Sequence, residues 1–224
     1  MSLEMSSEKS EMLKGSKNES VKAFFYYDIL SPFCYFYILQ LHRLQDRLDI
    51  TPVPILLGGL LRATNNLGPA EVAAKRPHTY QYCVWLAEKL GIRFRFPERH
   101  PFSSVAPQRL LVQERADWPM ITRAYEYVWV EGKDPNSSWD QFCRYLGLPA
   151  DTPKPSDLAV KDQLIHNTEQ AKQAGAFGVP SLVVGTHCFW GLDAIDWVSD
   201  YLNRPDMFQE PAYQYAAAVP SGLE

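Results

Sequence analysis

The chain has 224 residues, 46% of them hydrophobic, with 22 basic and 26 acidic residues and a formal net charge of -4. That length and apolar share fit one large domain, or one domain carrying an insertion. The slight acidic excess excludes the basic surface expected of a nucleic-acid binder, but is compatible with a locally positive pocket for a small anion.

Residues 1–20 alternate Ser, Glu and Lys without the apolar stretch of a signal peptide, and read as a disordered tail. The longest apolar runs, Ile55-Leu56-Leu57 and Val179 to Val184, fall far short of the ~20 residues of a spanning helix. The sequence therefore predicts no membrane partner and a cytoplasmic protein. Val21 to Tyr27 is short and aromatic-rich, a strand pattern. Asp28 to Pro32 forms a turn. From Phe33 to Leu48 the apolar residues fall at helical spacing, and Pro32 suits a first helical turn, where no N–H is missed. Asp49 to Leu57 reads as a second strand interrupted by Pro52 and Pro54. Residues 21–57 thus predict a strand–helix–strand unit with a parallel pair.

Helical patterns dominate from Gly59 to about Ala176, over 69–91, 105–116, 119–131, 137–147 and 156–175, with Gly91, Gly132 and Gly147 as helix stops. Strand signals return at Ser181–Val184 and His187–Trp190, joined by Gly185-Thr186 as a hairpin. Ala194–Leu202 is an amphipathic helix, and the chain from Pro205 onward reads as a surface tail. The order βαβ, helical block, ββα predicts an α/β fold: a thioredoxin-like domain (21–58 plus 176–204) with an inserted all-helical domain (59–175) and a C-terminal tail (205–224).

Four segments bear candidate chemistry. Ser31-Pro32-Phe33-Cys34 follows a strand and opens a helix. Ser31 there is either an ordinary helix cap or a hydroxyl donor to a thiolate brought in by another molecule, since the exposed N–H groups favour an anion. Val179-Pro180 precedes a buried strand; it is either a cis bond exposing the backbone of residue 179 to an extended ligand or a trans proline opening an edge strand. Asp193, in Gly191-Leu192-Asp193, either caps the last helix or meets a ligand ammonium. Asn66, with Lys75 and Arg76, either lines an anion pocket or belongs to a solvated face. The four cysteines, Cys34, Cys83, Cys143 and Cys188, form no Cys-x-x-Cys pair and no metal-ligand spacing, and read as buried free thiols.

Phe25-Tyr26-Tyr27-Asp28-Ile29-Leu30-Ser31-Pro32-Phe33 resembles the opening of 2-hydroxychromene-2-carboxylate isomerases and kappa-class glutathione transferases. Gly175 to Pro180 is similar to their cis-proline motif, and Phe189 to Asp193 to their glycine–x–aspartate motif. Gly58 to Leu61, Asn66, Lys75 and His100-Pro101-Phe102 fit as well, most closely the isomerase branch, so the resemblance spans roughly residues 21–203. It implies that Ser31 hydrogen-bonds the glutathione sulfur and that Val179, before Pro180, pairs through its backbone with the cysteinyl part. Asp193 would hold the γ-glutamyl ammonium, and Asn66 and Lys75 would line the glutathione and substrate side of the cleft. Pro32 and Leu192 complete the glutathione-binding set. Two residues depart from the pattern. Cys34 stands where the family carries serine or alanine, three residues after Ser31, and helix geometry turns it inward. Leu192 replaces a polar residue, which keeps a backbone contact but removes a side-chain one.

The resemblance implies a glutathione-dependent isomerase in aromatic catabolism, acting by reversible thiolate addition to an unsaturated aromatic keto acid. It also implies a homodimer. A kappa-type transferase or peroxidase is the alternative on the same site. A thiol–disulfide oxidoreductase is a further one, with Cys34 as its possible redox group and the lack of a thiol at position 31 against it.

Overall fold

The computed structural model describes residues 20–222. The expected tail over residues 1–20 lies, but for Ser20, outside them. A four-stranded sheet has the order β2-β1-β3-β4, with β1 (Val21–Tyr27), β2 (Leu48–Pro54), β3 (Ser181–Val184) and β4 (His187–Trp190). β1 pairs parallel with β2 and antiparallel with β3, and β3 pairs antiparallel with β4. Helix α1 (Pro32–Ile38) makes the β1–β2 crossover, and α8 (Ala194–Asn203) follows the hairpin. Between β2 and β3 the chain forms α2 (Leu57–Ala63), α3 (Lys75–Leu90), α4 (Val105–Gln113), α5 (Trp118–Trp129), α6 (Trp139–Leu146) and α7 (Leu158–Gln173). This is a thioredoxin-like sheet with a helical insertion.

β2 tolerates Pro52 and Pro54 because it is an edge strand, where a missing N–H faces no ladder partner. Side chains from the helices satisfy the main chain just beyond the strands. Fully buried Gln108 of α4 donates from Nε2 to the carbonyls of Tyr27 (3.0 Å) and Ile55 (2.8 Å). Asn167 of α7 donates to Pro54 (3.0 Å), and the Leu56 N–H donates to the Thr168 hydroxyl (3.0 Å). The core continues from the sheet into the insertion without a break: Phe25 and Tyr27 of β1, Phe36 and Tyr37 of α1 and Tyr125 and Trp129 of α5 are all buried in one cluster. On the 25 cal/mol per Å² scale, each such aromatic burial stabilises by roughly 2–3 kcal/mol.

Four expectations differ from the structure. The strand read over Asp49–Leu57 ends at Pro54, and Leu57 already opens α2. The helix read over Phe33–Leu48 stops at Ile38. Single turns closed by Leu44 N–H to Leu41 and Leu48 N–H to Leu44 replace it, and they keep Leu41, Leu44 and Leu48 buried on one side while releasing the chain into β2. The helix read over 69–91 starts only at Lys75, after turns. The segment read as a tail beyond Pro205 forms a short 3-10 turn at Met207–Gln209 and α9 (Pro211–Ala217). Met207 is buried, and Phe208 stacks on His187 with ring centroids 4.3 Å apart, so apolar residues fasten this segment to β4 and α8.

Gln108→Leu tests the joint between insertion and sheet. It strips two donated hydrogen bonds, although the Tyr27 carbonyl keeps the Ile55 N–H. We expect a loss of about 1–3 kcal/mol in urea unfolding; an unchanged midpoint would refute the joint.

Candidate functional site

The site is built around the turn from Asp28 to Ser31, between β1 and α1. A buried turn leaves main-chain groups without ladder partners, and each must find one elsewhere. Here three consecutive carbonyls each accept from a different side chain of the insertion. Tyr125 donates its hydroxyl proton to Asp28 O (3.0 Å), Trp129 donates Nε1–H to Ile29 O (3.0 Å), and His100 Nε2 lies 2.9 Å from Leu30 O. The Ser31 N–H donates back to Asp28 O (3.0 Å).

The Asp28 carboxylate holds the same turn from inside. It is fully buried and accepts from Leu30 N–H (3.0 Å), Leu57 N–H (2.9 Å) and the Ser104 hydroxyl (2.9 Å). Burial raises its carboxyl to about 6, against the lowering effect of those three donors.

Ser31 is 6% exposed and has the extended backbone of an N-cap, yet its side chain makes no capping hydrogen bond. Pro32 follows at the first helical position. Cys34 is a fully buried free thiol close to the Asp28 main chain and to the Tyr125 and Ser31 side chains. Burial pushes its thiol up to about 12, outweighing the lowering effect of the Asp28 main chain and the Tyr125 and Ser31 side chains. A thiol so raised is protonated at neutral pH.

The Val179–Pro180 bond is cis. Among the described residues, the main-chain N–H and C=O of Val179 take no hydrogen-bond partner. Pro180 O accepts from Gly191 N–H (2.9 Å), joining the proline loop to Gly191-Leu192-Asp193. Gly191 has φ +94, and a Cβ there would stand 2.6 Å from Asp193 Oδ1, so only glycine lets that carboxylate fold over the loop. Asp193 is exposed and occupies the N-cap position of α8 without a side-chain capping bond. Leu192 is half-buried. Exposed Asn66 points its Nδ2 at Phe177 O (3.5 Å), so the start of the insertion also reaches the proline loop. Because Tyr26 pairs with Ser181, the proline loop lies at the same end of the sheet as the turn that carries Ser31. The fold therefore gathers Ser31, Pro32, Val179, Pro180, Leu192, Asp193 and Asn66 at one sheet end. Lys75 is exposed at the start of α3, and among the described residues no hydrogen bond or ion pair ties its side chain to the others.

An apolar wall leads away from the turn. Phe33 meets Tyr82 of α3 at 6.3 Å, and Tyr82 meets Trp85 at 5.5 Å. Beyond it, an open hollow of about 370 Å³ is lined by Tyr80, Val84, Trp85 and Phe96 among others.

Sequence reading alone passed over Asp28, Tyr80, Tyr125 and Trp129. For Asp28 there was a signal: an acidic residue directly after an apolar aromatic strand, three residues before a serine-proline pair. For the three aromatics there was none, because a hydroxyl or indole N–H at helical spacing looks like any other core residue.

Residues 24–203 match the family model described as a DSBA-like thioredoxin domain. The chain is 27% identical over 199 residues to a 2-hydroxychromene-2-carboxylate isomerase from Sphingobium xenophagum, covering 80% of this chain and 96% of that one. Among solved structures it is similar to a 2-hydroxychromene-2-carboxylate isomerase, with TM-score 0.69 and 23% identity, covering 89% of this chain and 100% of that chain. It is also similar to the cytosolic disulfide reductase DsbM from Pseudomonas aeruginosa with GSH, with TM-score 0.50 and 19% identity over 88% of this chain and 98% of that chain.

Two measurements follow from this geometry. Since burial raises the Asp28 carboxyl, the folded protein holds that proton more tightly than the unfolded chain. Its contribution to stability is full below the ordinary value of 3.8 and is lost as pH rises through about 6. Asp28→Asn should remove that component, on the order of 3 kcal/mol across the window, from the dependence of unfolding free energy on pH; identical slopes for the two proteins would refute it. Cys34 should resist iodoacetamide in the folded protein at neutral pH and react once urea unfolds it, read by mass spectrometry of the peptide containing it. Rapid labelling without denaturant would contradict the buried, raised thiol.

Proposed function

Because this chain belongs to the DSBA-like thioredoxin-domain family, we propose that it is a glutathione-dependent isomerase of the 2-hydroxychromene-2-carboxylate type. The observation that carries the reading is Ser31. It stands at the helix start where a disulfide enzyme of this family needs its first thiol, and its hydroxyl is not spent on capping. The one nearby cysteine, Cys34, is sealed in the core with its thiol raised to about 12, which argues against dithiol exchange. The similarity to the Sphingobium xenophagum isomerase over most of both chains favours the isomerase chemistry.

The residues present fit glutathione. The unpartnered main chain of Val179 is suited to pair with the cysteinyl backbone in strand fashion. The exposed Asp193 carboxylate suits the γ-glutamyl ammonium, and Leu192 offers only its backbone. Asn66 stands on the same proline loop. When bound, glutathione supplies the thiolate that adds reversibly to an electron-poor carbon of an unsaturated aromatic keto acid, making a double bond temporarily single. Ser31 donates its hydroxyl proton toward the sulfur and so favours the thiolate form. Lys75, helped by Asn66, receives the carboxylate or developing oxyanion of the substrate. The wall formed by Phe33, Tyr82 and Trp85 offers apolar surface for the aromatic ring. On this reading the helical insertion, residues 59–175, is the substrate-side domain, and the active protein is a cytoplasmic homodimer.

Ser31→Ala tests the assignment. A hydrogen bond to a charged group contributes about 1.5–3 kcal/mol, so isomerase turnover should fall about 10- to 100-fold and the thiol pKa of bound glutathione should rise. Wild-type turnover with an unchanged thiol pKa in the variant would remove Ser31 from the chemistry. Failure of the wild-type protein to bind millimolar glutathione would remove the whole reading. Assaying a chromene carboxylate beside a chloronitrobenzene and a hydroperoxide separates isomerase from transferase and peroxidase.

A further inference from the structure

His100 touches the Ser31 turn and has no task in the proposed chemistry. Its Nε2 lies 2.9 Å from Leu30 O, its Nδ1 lies 2.7 Å from the Tyr80 hydroxyl, and that hydroxyl is also 2.8 Å from the carbonyl of His100 itself. A carbonyl can only accept, so the short contact to Leu30 places a proton on Nε2. In the neutral ring Nδ1 is then a lone pair, and Tyr80 donates its single proton between Nδ1 and the His100 carbonyl. The ring is packed among Tyr80, Phe96, Phe102 and Trp129. Burial keeps its pKa below the ordinary histidine range, opposed by the Leu30 hydrogen bond and reinforced by Arg76. At neutral pH the donor direction is therefore fixed: Tyr80 to His100, and His100 to Leu30.

The Leu30 carbonyl and the Ser31 N–H belong to one rigid peptide plane. His100 holds the carbonyl end of that plane at 2.9 Å, and Asp28 O holds the N–H end at 3.0 Å. We propose that His100 is a positioning residue for Ser31: it fixes the Leu30–Ser31 peptide, and Tyr80 ties that peptide to α3, the helix that begins at Lys75. Rotation of this plane would swing the Cα–Cβ bond of Ser31, and with it the hydroxyl that meets the sulfur. The same pair thereby sets the spacing between the thiol side of the site, on the turn, and the anion side, on α3. Its two other carbonyl-holding companions are fully buried core residues. His100 and Tyr80 are only half-buried, so their polar roles can be removed with little loss of packing. The functional consequence rests on the reading of Ser31 as the thiolate partner; the positioning itself does not.

Three variants test it: His100→Phe, which keeps an aromatic ring without a donor; His100→Gln, which restores a donor; and Tyr80→Phe, which keeps the stack on Phe96 and loses only the hydroxyl. Two readouts are taken on the full chain: amide hydrogen exchange at Ser31 without ligand, and the thiol pKa of bound glutathione from thiolate absorbance. His100→Phe should speed Ser31 exchange about tenfold, the equivalent of one buried hydrogen bond, while amides of β3 keep their wild-type rates. It should also raise the bound thiol pKa, by about half a unit or more. His100→Gln should recover most of both effects, and Tyr80→Phe should show a smaller shift in the same direction. Wild-type values at Ser31 in both His100→Phe and Tyr80→Phe would overturn the proposal, as would equal acceleration in β3 and at Ser31, which marks general loosening. Should His100→Phe not fold, Tyr80→Phe decides by the same criteria. If wild-type protein leaves the glutathione thiol unshifted while Ser31 exchange responds selectively, the proposed function fails and the positioning stands.

Discussion

Three consecutive carbonyls, of Asp28, Ile29 and Leu30, cannot pair with a strand because the chain has left β1 and has not yet entered α1. The protein buries them anyway and satisfies each with a donor from the chain between β2 and β3: a tyrosine hydroxyl, an indole N–H and an imidazole N–H. Each such group left unpaired would cost about 1–3 kcal/mol. The shape of the turn therefore rests on the insertion as well as on its own local bonds, Leu30 N–H to the Asp28 carboxylate and Ser31 N–H to Asp28 O. Ser31 inherits its position from that arrangement.

The same constraint explains the electrostatics beneath the site. With the carbonyls taken by the insertion, the turn's Leu30 N–H and the Leu57 N–H converge on the Asp28 carboxylate, and Ser104 supplies a third donor. Enclosing that carboxylate raises it toward 6 even so, because loss of water outweighs three hydrogen bonds. Cys34 shares the enclosure, and its thiol rises to about 12. The cysteine nearest the turn is thus held protonated at neutral pH, and the residue at the N-cap position of α1 is a serine. On the reading proposed above, the reactive sulfur comes from a ligand that pairs with the unpartnered main chain of Val179.

The insertion joins the sheet through buried polar contacts as well as packing. Gln108 and Asn167 cap the ends of β1 and β2, and Asn66 reaches across to the proline loop. These contacts give the site two sides of different origin. The segments beyond the C-terminal ends of β1 and β4 and before β3 provide one, with Ser31, Asp193 and Val179. The insertion provides the other, with Asn66 and the aromatic wall of α3.

Much of this was legible in the sequence. Aromatic and β-branched runs identified β1, β3 and β4, and glycines at positive φ ended α3 and α6 where expected. The α/β order and the resemblance around Ser31, Pro180 and Asp193 followed from local pattern and short motifs. Helix lengths did not, since the apolar period of Leu41, Leu44 and Leu48 is met equally by separate turns, and a proline-bounded tail gave no sign that Phe208 would find His187. What the sequence by itself determined was therefore most of the elements and the residue types able to do the chemistry, because those depend on neighbours along the chain. Only the tertiary structure decided that Asp28 and Cys34 are buried and that Tyr125, Trp129 and His100 hold one turn. Those properties depend on desolvation and on hydrogen bonds between residues separated by 70 to 100 positions, which no local pattern records.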